Sequence, residues 1–318
     1  MTNQPVALIP HTRRRSSREQ LAELLESNVP ALEVRIASTS EETLDGLDEA
    51  DILVTMGMEE EWYEHLEGIE WIQALSSGVN HYDLEAIEAS NTVFTNAAGV
   101  HAEPIAQQVL GYMLLFERNL IRGIHQQEQG VWERYSGGEL GDRTVGIVGL
   151  GAIGQQVATY AKRFGMEVVG TKRDPEVDIA AVDRVYTPDE LKEVLSVAEY
   201  LVLACPLTDE TRGLLDAEAI GQLPEEAVVI NIARGGVVVE EDLIHTLEQD
   251  ELRGAGLDVF EEEPLPDDSP LWQLSNVIIT PHMAGSTPHY WERCVEIIAE
   301  NVDPFVAGEF DRMRNRIL

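Results

Sequence analysis

Lysine is almost missing from this chain of 318 residues: only Lys162, Lys172 and Lys192 occur, and basic residues number 22 against 58 aspartates and glutamates. A formal net charge of −36 argues against nucleic acid or an anionic membrane as partner, since both need a basic face. Cysteine is scarce too. Cys205 and Cys294 are too few for a disulfide framework, so a reducing, cytoplasmic location is the expectation. No run approaches the roughly 18 apolar residues of a membrane span. The start, Met1-Thr2-Asn3-Gln4, leads into the strand-like Val6–Ile9 without the pattern of a secretory signal. Short-period repeats and low-complexity tracts are absent, and no metal site is expected.

The acid is spread along the chain and interleaved with apolar periodicity, so it is the coat of a folded protein and not a disordered tail. Such a surface repels itself in dilute buffer. At molar salt the Debye length shrinks to about 3 Å, so the composition fits a salt-loaded, halophilic cytoplasm. It also makes each basic residue near a motif more informative.

Two series of alternating strands and helices run through the chain. The first has strand-like segments at Val6–Pro10, Leu32–Ala37, Asp51–Thr55, Trp71–Leu75 and Thr92–Thr95. Ser16-Ser17-Arg18-Glu19 reads as a capping box opening a helix over Arg18–Ser27. A long helix is expected from His101 to Gln127, until Gly137-Gly138-Glu139-Leu140-Gly141 breaks the pattern. The second series has Thr144–Val148, Glu167–Thr171, Tyr200–Cys205, Ala227–Ile232, Gly254–Val259 and Val277–Thr280, and a last helix spans Tyr290–Val306. Strand–helix alternation implies parallel sheets covered by helices. The expectation is an α/β protein: a Rossmann-type doubly wound parallel sheet in residues 98–287, and a second, flavodoxin-like βα domain. The second domain is residues 1–97, completed by the C-terminal helix in 288–318.

Val145-Gly146-Ile147-Val148 runs into Gly149-Leu150-Gly151-Ala152-Ile153-Gly154. The motif leaves a strand and opens a helix, which is the context that makes it a dinucleotide fingerprint. Gly149 makes the turn, Gly151 admits a pyrophosphate, and Gly154 lets helix and strand pack closely. Ala152 and Ile153 belong to the helix N-terminus that faces the phosphates. After the next strand come Lys172 and Arg173, then Asp174. An NAD site normally keeps an acid near this point. Two bases ahead of it favour NADP(H), with NAD(H) also used.

Three segments follow strands of the second series, hence the carboxyl edge of the sheet, where ligands bind. They are Asn231–Gly236, Gly256–Pro264 and Thr280–Gly285. Keto-acid reduction needs a guanidinium to bind carboxylate and polarise carbonyl. It also needs an acid near neutral pH, commonly His, with a carboxylate partner. Arg234, a glutamate of Glu261–Glu263, and His282 supply these. Met56 and Met58, flexible and apolar, point to tolerance of an apolar substituent.

These segments resemble the D-isomer-specific 2-hydroxyacid dehydrogenase family, most strongly from Gly137 to Thr287. Glu139-Leu140 with Thr144–Ile147 matches the family's entry to the fingerprint, and Cys205-Pro206-Leu207-Thr208 with Thr211–Leu215 its fourth-strand motif. The resemblance implies that Arg234 binds substrate, His282 is the acid/base and Glu263 its partner. It assigns the nicotinamide carboxamide to Asp258 and the backbone near Ala233. Cys205, Pro206, His282 and Gly285 would lie beside the cofactor, and Ser77-Gly78-Val79 would bind the substrate carboxylate through backbone N–H groups. It also implies a homodimer formed through the nucleotide domain. Ile105-Ala106-Gln107 stands where the family has Val-Ala-Glu. Formate dehydrogenases fit less well, since they place Gln where Glu263 stands. A phosphoglycerate dehydrogenase, a glyoxylate or hydroxypyruvate reductase, and a non-catalytic NAD(H) sensor are the alternatives. His81, His101 and His289 match no family role and are expected to be structural or exposed.

Overall fold

The computed structural model describes residues 4–176 and 179–318. They form two compact units, one of residues up to Val100 together with Thr287–Leu318, the other His101–Ser286.

The first unit begins β1 (Val6–Ile9), α1 (Arg15–Asn28), β2 (Glu33–Ile36), α2 (Ser40–Leu47), β3 (Ile52–Thr55), β4 (Trp71–Ala74), α3 (Leu84–Ala89), β5 (Val93–Thr95). All pairings are parallel, in the order β2-β1-β3-β4-β5. That is the flavodoxin-like order. Strands β1, β3 and β4 are buried along their whole length, which is why they read as unbroken apolar runs.

The second unit contains α4 (Ala102–Glu117), α5 (Leu120–Gln129), β6 (Thr144–Val148), α6 (Ala152–Arg163), β7 (Glu167–Thr171), β8 (Arg184–Tyr186), α7 (Leu191–Leu195), β9 (Tyr200–Leu203), α8 (Ala217–Ile220), β10 (Val228–Asn231), α9 (Glu240–Glu248), β11 (Gly254–Leu257) and β12 (Val277–Ile279). Its sheet is parallel throughout, ordered β12-β11-β10-β9-β6-β7-β8. The order reverses between β6 and β9, so the loop leaving β6 lies at the switch point where open sheets bind ligands. The last helix, α10 (Tyr290–Val306), returns to the first unit. There Val295, Ile298 and Val302 join Leu21 and Leu25 of α1 in one apolar core.

Two expectations are corrected, and one strand was not foreseen. Helix α1 starts at Arg15, with no side-chain cap at Arg14, and Glu19 pairs with Arg15 at 2.7 Å instead of closing a capping box. The earlier start places Arg18 inside the helix, where it is buried and donates to the Ala37 carbonyl. The expected helix from His101 to Gln127 is two, α4 and α5, broken where Asn119 takes φ +54°, a conformation Asn tolerates. Strand β8 had no sequence signal, being three partly exposed residues.

Candidate active site

The glycine-rich loop is shaped as a dinucleotide cradle. Gly149 has φ +100°, and a Cβ there would lie 2.8 Å from the Cys205 nitrogen. Its N–H donates to Thr171 Oγ1 at 3.2 Å, which ties the loop to the end of β7. A Cβ on Gly154 would sit 2.2 Å from the Gly149 carbonyl oxygen, so only glycine lets α6 approach β6 this closely. Space beside Gly151 is open. Ala152 and Ile153 form the first turn of α6, which carries no acidic residue. Every feature fits a pyrophosphate at a helix N-terminus.

The two bases after β7 are not equivalent. Lys172 Nζ donates to the Leu150 carbonyl at 2.9 Å, within the glycine loop. Arg173 is exposed. It lies close to Glu210, whose carboxyl is held below its ordinary value first by the Thr208 hydroxyl and, more weakly, by the Arg173 charge. Asp174 accepts from the Glu176 N–H at 3.2 Å. Cys205 is 8% exposed and its side chain belongs to the core, so only its backbone borders the glycine loop. Pro206 is exposed beside it.

At the carboxyl edge of β10, β11 and β12 the three segments converge. His282 Nδ1 lies 2.7 Å from Glu263 Oε2. A carboxylate only accepts, so the ring proton sits on Nδ1 and Nε2 is left for chemistry. Glu263 Oε1 accepts from the Phe260 N–H at 3.1 Å. Burial pushes the Glu263 carboxyl up. The hydrogen bonds from His282 and Phe260, with the charges of His282 and Arg234, outweigh that, and its pKa falls below the ordinary value. The exposed Arg234 guanidinium donates to the Ala233 carbonyl at 2.6 Å, so that carbonyl already has a partner. His282 has φ +48°, left-handed backbone that costs a non-glycine residue about 1–2 kcal/mol. Its N–H donates to the Asp258 carbonyl at 2.8 Å. Asp258 is 2% exposed, and its carboxylate accepts from Thr280 Oγ1 and from the N–H groups of Met283 and Ala284. Three of roughly four acceptor positions are filled. Gly285 accepts from His101 Nδ1 at 3.0 Å.

In the first unit, Ser77-Gly78-Val79 follows β4. Ser77 Oγ donates to the Ala97 carbonyl at 3.0 Å, and Asn96 Nδ2 to the Ser77 carbonyl at 2.7 Å. Among the described residues the N–H groups of Ser77, Gly78 and Val79 donate to no protein acceptor. His81 Nε2 donates to the Met56 carbonyl at 3.0 Å, and exposed His289 pairs with Glu292. No metal-binding cluster occurs among the described residues. Sequence reasoning missed Tyr112 and, though it singled out the segment Thr280–Gly285, gave Thr280 no role; the two hydroxyls meet at 2.5 Å, and that of Thr280 donates to Asp258. Their only signal was an aromatic in the aliphatic face of α4 opposite the glycines of β11.

Residues 110–284 match the NAD-binding domain of D-isomer specific 2-hydroxyacid dehydrogenases. The chain belongs to that family. It is 35% identical over 298 residues to the D-3-phosphoglycerate dehydrogenase of Methanocaldococcus jannaschii, covering 92% of this chain but only 56% of that enzyme. It is 33% identical over 285 residues to the glyoxylate reductase of Pyrococcus furiosus, covering 85% and 83%. A D-isomer specific 2-hydroxyacid dehydrogenase from Xanthobacter autotrophicus, solved with NADPH and MES, matches with TM-score 0.80 and 28% identity over 99% of this chain and 98% of that one. The family's named relatives are oxidoreductases of 2-hydroxy acids, and the larger unit here is its NAD(P)-binding Rossmann domain. Among the described residues no helix is long and apolar enough to cross a membrane.

Proposed function

We propose that the protein reduces small 2-keto acids to D-2-hydroxy acids, and runs the reverse reaction, with NADP(H) preferred and NAD(H) also used. The carrying observation is the His282–Glu263 pair at 2.7 Å, on the same sheet edge as the glycine loop and within reach of the Arg234 charge. When bound, the reduced nicotinamide supplies the hydride. Gly149, Gly151, Ala152, Ile153 and Gly154 would hold its pyrophosphate, with Pro206, Gly285 and the remaining acceptor position of Asp258 toward the other end. Arg234 binds the substrate carboxylate and polarises the carbonyl. We assign the Ser77–Val79 N–H groups, which among the described residues donate to no protein acceptor, to binding of a substrate carboxylate, and the first unit to the role of substrate domain. His282 Nε2 gives its proton to the developing alkoxide, and Glu263 stabilises the charged ring before transfer.

For the cofactor, Arg173 is the residue we assign to the ribose 2′-phosphate, since Lys172 is already tied to Leu150. The acidic surface belongs to a halophilic, cytoplasmic protein, consistent with two buried free thiols. We also propose a homodimer paired through the segment around α5. No residue of α5 is buried, and Leu120, Ile124, Val131 and Trp132 are exposed, Trp132 by 99%. A groove of about 840 Å³ lined by Phe116, Ile121 and Asn276 adjoins them. Such a patch marks an interface, and Trp132→Glu should convert a dimer to monomer in sedimentation.

The deciding experiment is NADPH oxidation with glyoxylate, hydroxypyruvate, pyruvate and branched 2-keto acids in molar KCl. Turnover on any of them supports the enzyme. Tight NADPH binding with turnover on none would favour a sensor. Full, lasting activity in dilute buffer would refute the reading of the surface.

A further inference from the structure

Tyr112, on α4, is 1% exposed, yet its hydroxyl is not idle in the core. It lies 2.5 Å from Thr280 Oγ1 at the end of β12. Thr280 in turn hydrogen-bonds Asp258 Oδ1. A carboxylate accepts only, so Thr280 gives its single proton to Asp258, and Tyr112 must donate into Thr280 Oγ1. The chain therefore has one direction, from helix to carboxylate. At its far end Asp258 Oδ1 takes the Met283 N–H and Oδ2 the Ala284 N–H, each at 2.9 Å. The Asp258 carbonyl takes the His282 N–H at 2.8 Å. His282, held at positive φ, is thus pinned at its own N–H and at the next two, all by one residue.

Room for this arrangement comes from β11. A Cβ on Gly256 would lie 2.8 Å from Tyr112 Cγ, so the ring occupies space that any other residue would fill. Burial raises the Tyr112 pKa, against the opposing effect of its hydrogen-bond contacts with Thr280 and Gln108, which keeps the phenol protonated and a donor. None of these atoms reaches the His282 ring. Their effect on it passes through backbone, and the fully hydrogen-bonded network rigidifies it.

We propose that Tyr112 and Thr280 are positioning residues for proton transfer: through Asp258 they fix the left-handed turn that aims the His282 ring. This rests on the reading of His282 as acid/base. The relevant variants are Thr280→Val, which keeps the shape and loses the hydroxyl, Thr280→Ser, which restores it, and Tyr112→Phe. Small misplacement of a catalytic group costs up to about 100-fold in rate. Thr280→Val should lower kcat at least about tenfold, and Tyr112→Phe about three- to tenfold. The KM for the keto acid and the Kd for NADPH, measured by fluorescence, should stay within about twofold, and Thr280→Ser should recover most of kcat. A readout independent of turnover is the His282 imidazole signal in 1H–13C NMR, assigned by its loss in His282→Ala. It should broaden or split in Thr280→Val and Tyr112→Phe.

Normal kcat and an unchanged imidazole signal in both variants would overturn the proposal. So would a loss confined to NADPH affinity, which would mean that the network serves only the cofactor contact of Asp258 and not the aim of His282. If Thr280→Val does not fold, Tyr112→Phe decides alone. His282→Ala separates the two levels of failure. Near-normal turnover in that variant removes the acid/base reading and this proposal with it. An inactive His282→Ala beside a normal Thr280→Val removes the positioning role only.

Discussion

The two edges of the seven-stranded sheet use charge in opposite ways. The amino edge is stapled. Glu117, its side chain fully buried at the end of α4, takes Arg143 at 3.2 Å and Arg253 at 3.0 Å, and Tyr200 donates to it at 2.8 Å. Arg143 also reaches Glu199 at 2.6 Å, Lys162 pairs with Asp183, and Arg184 with Glu167. These residues stand just before, or at the first position of, strands β6, β7, β8, β9 and β11, or on helices packed beside them. At the carboxyl edge, Lys172 and Arg234 donate to backbone carbonyls, and Arg173 makes no ion pair among the described residues. In a chain with 58 acids and 22 bases, cations kept out of salt bridges at one edge are the ones available to anionic ligands. For lysine and arginine, pairing serves stability where no anionic ligand has to bind.

That contrast can be broken from either side. The largest effect should come from His282→Ala, which is expected to lower kcat by about 10²–10⁴-fold with little change in melting temperature. Near-wild-type turnover would remove the functional half of the comparison. Glu117→Gln should do the reverse. Breaking a buried pair costs about 3–5 kcal/mol, so unfolding by denaturant in molar salt should show that loss, while kcat at low temperature stays near wild type.

The same variant tests the acid side. Burial would raise the Glu117 carboxyl, but hydrogen bonds from Tyr200, Arg253 and Arg143 outweigh it and depress its pKa. A depressed carboxylate stabilises fully above its unfolded value and loses that contribution as pH falls through the folded one. Wild type should therefore lose stability progressively below the ordinary value of 4.5. Glu117→Gln should lack that part of the slope. Parallel acid titrations followed by circular dichroism would show a wrong sign at once.

Smaller still is the cofactor contrast. Arg173→Ser should cut the NADPH over NADH preference in kcat/KM by roughly 10- to 150-fold, the worth of one charged hydrogen bond at about 1.5–3 kcal/mol. An unchanged ratio would place that guanidinium away from the ribose. Lys172→Ala should weaken both cofactors alike, because its amine holds the glycine loop.

How much of this was legible follows from where each signal resides. The glycine fingerprint, and Arg234, Glu263 and His282, sit in local patterns that a parallel sheet brings to one edge whatever its details. Burial hid the rest. The Cys205 thiol turns into the core, and nothing local says so. Lys172 and Arg173 look alike in sequence and part only because Leu150 offers a carbonyl within reach of one of them. The false capping box at Ser16 came from weighing local cap chemistry above the burial of Arg18. Strand β8 is an edge of three residues, Arg184–Tyr186, held by one neighbour and so without an apolar run. Tyr112 and Thr280 are 168 positions apart, beyond any local pattern.

The first unit is sewn from both ends of the chain, and this has a consequence for biosynthesis. The core that α10 shares with α1 and the five-stranded sheet cannot close until residue 306 has emerged, whereas the second unit is continuous from His101 to Ser286. At about 5–20 residues per second, roughly 200 residues separate β5 from the end of α10, a wait of some 10–40 s. During it, Leu21, Leu25, Val54 and Trp71 lack their cover, and the later-made Rossmann unit has its whole sequence about 20 residues before α10 is finished. The order of synthesis and the order of completion are reversed, which leaves the nascent first unit with exposed apolar surface of the kind that chaperones cover.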